Sequence, residues 1–117
     1  MNKHTFFREF NEALMSGNIT YILESVTTDV SWEMIGNDTI YGKDVLAEVL
    51  AGMDQTMEYK LTIEHIIIDS AKAVVNGIIE VTTKLNELKT YGFCDIYQLA
   101  ENEDDKISKI TSYVIQK

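Results

Sequence analysis

The second half of this chain is almost continuous strand-forming sequence. Met57 to Asp69, Ala73 to Leu85, Lys89 to Ala100 and Lys106 to Gln116 are rich in Ile, Val, Thr and Tyr. Branched and aromatic side chains of this kind suit a pleated, half-buried surface. The polar turns between them, Asn86-Glu87 and Glu101 to Asp105 among them, are short enough to join antiparallel neighbours directly. Each stretch exceeds the usual strand length of about five or six residues. Strands twist, so a sheet of such length must curl. A curled sheet has a hollow side, and that side needs an apolar cover.

The first half supplies the cover. From His4 to Ser16, Phe6, Phe7, Phe10, Ala13 and Leu14 share one helical stripe, with Arg8, Glu9 and Glu12 elsewhere. Gly17 is placed to end this helix and Asn18 to cap the next, where Ile19, Ile22, Leu23 and Val26 repeat the spacing. Val30 to Ile35 reads as a strand, Gly36-Asn37-Asp38 as a turn and Thr39 to Tyr41 as a second short strand. Gly42 leads into a third helix with Val45, Leu46, Val49, Leu50 and Met53 on its apolar stripe and Asp44 at its positive end. With no proline in the chain, glycines and polar clusters are the only punctuation. The expected architecture is one α+β domain over residues 1–117: a half-barrel of strongly bent, mostly antiparallel sheet with three helices on its concave face. A pocket is expected between sheet and helices.

Composition narrows the functional classes. The formal net charge is −9, which leaves no basic stripe to displace counterions from nucleic acid and nothing to attract an anionic membrane. No apolar run is long enough to cross a bilayer. A single cysteine, Cys94, rules out an internal disulfide. The opening MNKHTFFREF lacks the apolar core of a signal peptide, so a cytoplasmic location is expected.

FNEALMSGN in the first helix, TTDVSWEMIG, the YGKD turn, and FCDIYQL followed by KISKITSYVI occur in an order that resembles the nuclear transport factor 2-like superfamily. That superfamily includes SnoaL-like polyketide cyclases, limonene-epoxide hydrolases and ketosteroid isomerases. The resemblance covers nearly the whole chain. It implies a cone-shaped bent sheet with helices at one mouth, a pocket for a small apolar or carbonyl-bearing molecule, and a homodimer formed through the sheet's back. No cofactor and no metal is expected.

Two carboxylates carry the candidate chemistry. Strand alternation puts Val30, Trp32 and Met34 on one face and Ser31, Glu33 and Ile35 on the other. The first set is the more apolar, so Trp32 faces inward and Glu33 faces water or a partner. The resemblance gives a competing assignment: matched to ketosteroid isomerases, Glu33 falls on the general-base aspartate, and a bulge would turn it inward. Matched to epoxide hydrolases, Trp32 and Met34 fall on pocket-lining positions. Tyr91, Phe93, Asp95 and Tyr97 alternate onto one face of a later strand, a pattern that suits a pocket wall; an outward hydrogen bond or a dimer contact is the alternative for Asp95. The resemblance matches Asp95 to the isomerase acid that donates to the substrate oxyanion, a role open to a carboxyl that burial keeps protonated.

Together, Glu33 and Asp95 form a candidate catalytic pair, Glu33 removing a proton alpha to a carbonyl and Asp95 stabilising the enolate. Phe10, Trp32, Met34, Phe93, Tyr97 and Tyr113 are expected to line the pocket. Phe10 stands where the isomerase has its oxyanion-binding tyrosine and has no hydroxyl; Tyr97 and Tyr113 are the candidate replacements. Ile115 stands where cyclases and epoxide hydrolases carry an acid, and VVNGIIEVT lacks the hydrolase arginine-aspartate pair. Non-catalytic ligand binding and protein interaction are the other readings.

The remaining motifs read as structure. His65 is expected on the apolar face of Tyr59, Leu61, Ile63 and Ile67 as a hydrogen-bonded core residue, and Cys94 as a small buried one. GNDTIYGKD has the wrong glycine spacing for a phosphate loop and Asp44 in place of its Ser or Thr. The acidic run Glu101 to Asp105 lacks alternating calcium ligands. Met15, Met34, Met53 and Met57 are expected to fill gaps around the pocket.

Overall fold

The computed structural model describes residues 2–53, 56–102 and 106–117. Asn2 caps helix α1 (Lys3–Ser16) by accepting from the Thr5 N–H. Gly17 ends it in the left-handed conformation, φ 74°, with its N–H bonded back to the Ala13 carbonyl. Asn18 caps α2 (Ile19–Glu24) through the Tyr21 N–H. Strands β1 (Val26–Met34) and β2 (Thr39–Tyr41) form a hairpin that leads to α3 (Lys43–Ala51). Then come β3 (Glu58–Asp69), β4 (Lys72–Thr82), β5 (Leu88–Leu99) and β6 (Ile107–Gln116).

The sheet order is β2-β1-β6-β5-β4-β3. The antiparallel meander from β3 to β6 is the one expected from the sequence. The pairing of β1 with β6 is parallel, so the bent sheet is mixed. Local pattern does not encode that partner, because the two strands lie at opposite ends of the chain. Two boundaries also differ from expectation. Val26 belongs to β1 and not to the stripe of the second helix, since α2 ends at Glu24. β4 stops at Thr82, which leaves Leu85 in the turn, where Asn86 takes a positive φ of 61°. Of the acidic run Glu101 to Asp105, residues 103–105 lie outside the described residues.

The bend has a local cause. Along β3 and β4, Ile63 pairs with Gly77 but His65 pairs with Asn76, so Glu64 is an extra residue in β3. Such a bulge bends its strand and inverts the alternation beyond it. Leu61 and Ile63 pack against the core before it, and Ile66 and Ile68 after it, while Ile67 is 60% exposed. His65 is therefore turned outward, where Nδ1 bonds Asn76 Oδ1 at 2.9 Å, and is not on the apolar face the sequence suggested. A Cβ on Gly77 would lie 2.0 Å from the Thr62 carbonyl oxygen and 3.0 Å from the Ile63 Cα. Only glycine lets the two backbones approach so closely.

The core lies between α1 and the concave face of β1, β5 and β6. Phe7, Phe10, Ile22, Val30, Leu46, Tyr97, Ile107 and Ile110 are almost wholly removed from solvent. Tyr97 is central, its ring 4.9 Å from Phe7 and edge-on to Phe10 at 5.9 Å. Gly77→Ala is expected to destabilise the protein by about 1–3 kcal/mol in urea denaturation, because backbone rather than a movable side chain occupies the space.

Candidate functional site

Above this aromatic layer the sheet and helices leave a cavity of about 270 Å³. Strand alternation supplies Trp32 and Met34 from β1, Phe93 and Asp95 from β5, and Ser112 and Val114 from β6. α1 adds Asn11 and Leu14, and α3 closes the opposite side with Leu46 and Leu50. Ile79 and Leu61 complete the wall from β4 and β3. Among the described residues that line it, Asp95 is the one ionisable side chain.

Asp95 is 6% exposed and sits at the meeting of two hydrogen-bonded arms. In one, the Tyr97 hydroxyl donates to Asp95 Oδ2 at 3.1 Å, and Asn11 Nδ2 reaches the Tyr97 oxygen at 3.2 Å and the Phe7 carbonyl at 2.8 Å. In the other, the Trp32 indole N–H donates to Ser112 Oγ at 2.8 Å. Ser112 is the cross-strand partner of Asp95, and its hydroxyl lies close enough to favour the ionised carboxyl. Burial pushes the Asp95 carboxyl up from its ordinary 3.8 to about 6, and the bonds from Ser112 and Tyr97 act against that rise. Burial and the neighbouring Asp95 carboxylate push the Tyr97 hydroxyl well above its ordinary range, so it remains a donor. The Cys94 thiol is likewise raised, by burial and then by Asp95, which disfavours the nucleophilic thiolate.

The expected site residues separate into three groups. Trp32, Met34, Phe93 and Asp95 line the cavity. Phe10 and Tyr97 are fully buried beneath it and do not line it; Phe10 lies 6.3 Å from the Trp32 ring. Glu33 and Tyr113 point to the other face. Glu33 is exposed because β1 alternates regularly through Trp32 and no bulge intervenes between Ser31 and Met34. Tyr113, 42% exposed, is displaced by the same alternation that turns Ser112 and Val114 inward. The pairing of Glu33 with Asp95 in one chamber is thereby corrected. Two polar residues were missed. Asn11 had a readable signal, since it falls on the α1 stripe four residues after Phe7. Ser112 becomes significant only through its register with Asp95, which the sequence does not display.

Three helices over the hollow of a bent, unclosed six-stranded sheet make up the fold of nuclear transport factor 2-like proteins. The chain belongs to the SnoaL-like domain family, which matches residues 7–110. Among solved structures, it is similar to an NTF2-like protein of unknown function from Cytophaga hutchinsonii, with a TM-score of 0.74 and 23% identity over 95% of this chain and 97% of that one. It is similar to an LEH-like epoxide hydrolase of M. tuberculosis, with a TM-score of 0.80 and 16% identity over 95% and 80%. A ketosteroid isomerase-like protein from Erwinia carotovora atroseptica gives 0.72 and 17% over 97% and 94%. At these identities the likeness is one of fold. No curated protein matches the chain.

The buried carboxyl has a thermodynamic signature. Its pKa is raised on folding, so between about pH 4 and 6 the folded state holds a proton that the unfolded chain releases. Stability from this group falls as pH rises through that window and levels off above it. The loss is roughly 2–4 kcal/mol. Asp95→Asn is expected to remove that component, read as the difference between the two proteins' urea-denaturation profiles across pH 4–7.5.

Proposed function

We propose that this SnoaL-like protein binds a small, largely apolar molecule carrying one polar group, which the ligand turns toward Asp95. The observation that carries the reading is the isolation of Asp95: among the described residues, a single ionisable side chain in a cavity whose walls are mostly apolar. Sites for small molecules have this make-up, apolar surface for affinity and a few placed polar groups for orientation. The volume, about 270 Å³, lies just under the roughly 300–1,000 Å³ of pockets that bury drug-sized ligands, which favours a compact molecule.

Enolisation in the manner of a ketosteroid isomerase is less well supported. It asks for a base and an acid on either side of the substrate, and Glu33 faces away from Asp95. The hydroxyl of Tyr97 is engaged with Asp95 and Asn11, and Phe10 has none. Binding needs neither a second carboxylate nor a free hydroxyl. A homodimer through the sheet's outer face accompanies the reading. Ile67, Ile96, Tyr113 and Ile115 are exposed there, an apolar grouping that suits a partner surface.

Trp32 is the sole tryptophan and lines the cavity, so its fluorescence reports occupancy. Toluene is expected to perturb it saturably, and Ile79→Phe, which fills the wall from β4, to weaken that binding at least about tenfold. Unchanged toluene binding in the filled variant overturns the reading. Ile96→Lys is expected to convert a dimer to a monomer in light scattering.

A further inference from the structure

The donor types around Asp95 fix the direction in which the hydrogens run. The Phe7 carbonyl only accepts, so the Asn11 atom 2.8 Å from it is the amide nitrogen. That nitrogen has a second hydrogen, directed at the Tyr97 oxygen 3.2 Å away. Tyr97 then gives its own hydrogen to Asp95 Oδ2 at 3.1 Å, closer than the alternative acceptor, Asn11 Oδ1, at 3.4 Å. On the other arm the Trp32 indole nitrogen is a donor only, so its bond to Ser112 Oγ leaves the Ser112 hydrogen free to turn toward Asp95, its cross-strand partner. Tyr97 thus donates to the carboxyl, and Ser112 has a hydrogen to offer it. An ionised carboxylate accepts only, with about four lone-pair positions, of which Tyr97 and Ser112 together can serve no more than about two.

Donors alone suit an ionised group, and among the described residues the cavity offers no countercharge. The titratable group that faces Asp95 is Tyr97 from its own strand, while the neighbouring Cys94 points to the opposite face of β5; α1 presents Asn11, β1 presents Trp32 and β6 presents Ser112, none of them charged. A ketone oxygen brought to the carboxylate would meet lone pairs. A protonated amine brings both hydrogens and the missing positive charge.

We infer that the cavity takes a small primary amine, a compact hydrocarbon body with one protonated nitrogen docked on Asp95, in preference to the carbonyl-bearing ligand suggested by family resemblance. The inference rests on the pocket reading above and specifies its polar end. With its pKa raised to about 6, the carboxyl is ionised at neutral pH, though burial disfavours the charge. A bound cation relieves that cost. The net charge of −9 favours the approach of cations as well.

The test compares toluene, benzylamine and acetophenone by Trp32 fluorescence. At pH 8 benzylamine is expected to bind at least about tenfold more tightly than either neutral probe, the scale of a hydrogen bond to a charged group. Its advantage should shrink as pH falls through 6, where Asp95 takes a proton while the amine stays charged. Asp95→Asn should bring benzylamine down to the level of toluene; the pH series on the unmodified protein decides the matter if that variant fails to fold. Benzylamine binding no tighter than toluene at pH 8, or acetophenone binding tightest, overturns the amine assignment. Toluene binding without an amine preference sinks this assignment alone, whereas failure of all three probes sinks the pocket reading with it.

Discussion

The hydroxyl of Tyr97 joins the two halves of this molecule. Its ring is wedged between Phe7 and Phe10 of α1, and its oxygen links Asn11 of that helix to Asp95 of the sheet. A buried tyrosine must satisfy its hydroxyl, and a buried carboxyl must be solvated by protein if water cannot reach it. Each group meets the other's requirement. The helix is thereby held at one rotation and one height above the sheet, and the cavity is the space that this placement leaves.

The same economy explains why polar side chains gather around Asp95. Asn11, Tyr97 and Asp95 are linked by hydrogen bonds, as are Trp32 and Ser112, and no buried side-chain nitrogen or oxygen among the described residues lacks a hydrogen-bond partner. A fully satisfied cluster is rigid, and a half-satisfied one would be worse than hydrocarbon. Elsewhere the walls are free to be apolar, and a fold of this kind does not by itself fix what occupies the chamber.

Much of the fold was legible because the periods are clean. The α1 stripe, the Gly17 and Asn18 caps and the four long strands follow from local chemistry alone. The inward set Trp32 and Met34 and the aromatic-acidic face of β5 follow from a period of two. The same period argued for Glu33 on the outer face; the isomerase resemblance argued against it, and local alternation prevailed. His65 went the other way. A single extra residue in β3 inverted the pattern, and nothing in YKLTIEHIII announces a bulge; the signal lay across the hairpin in Gly77. Asn11 and Ser112 escaped attention because small polar residues on apolar faces matter only once their partners are known. Those partners are set by long-range register.

The parallel pairing of β1 with β6 has a consequence for how the chain reaches its native state. Trp32 and Ser112 are 80 positions apart, so the ends of the sequence meet in the middle of the sheet. Closing so long a loop costs entropy before any contact rewards it. The hairpins between β3 and β6 close locally and need no such step. During synthesis β1 can pair with β2 at once, but its other edge stays open until β6 has been made.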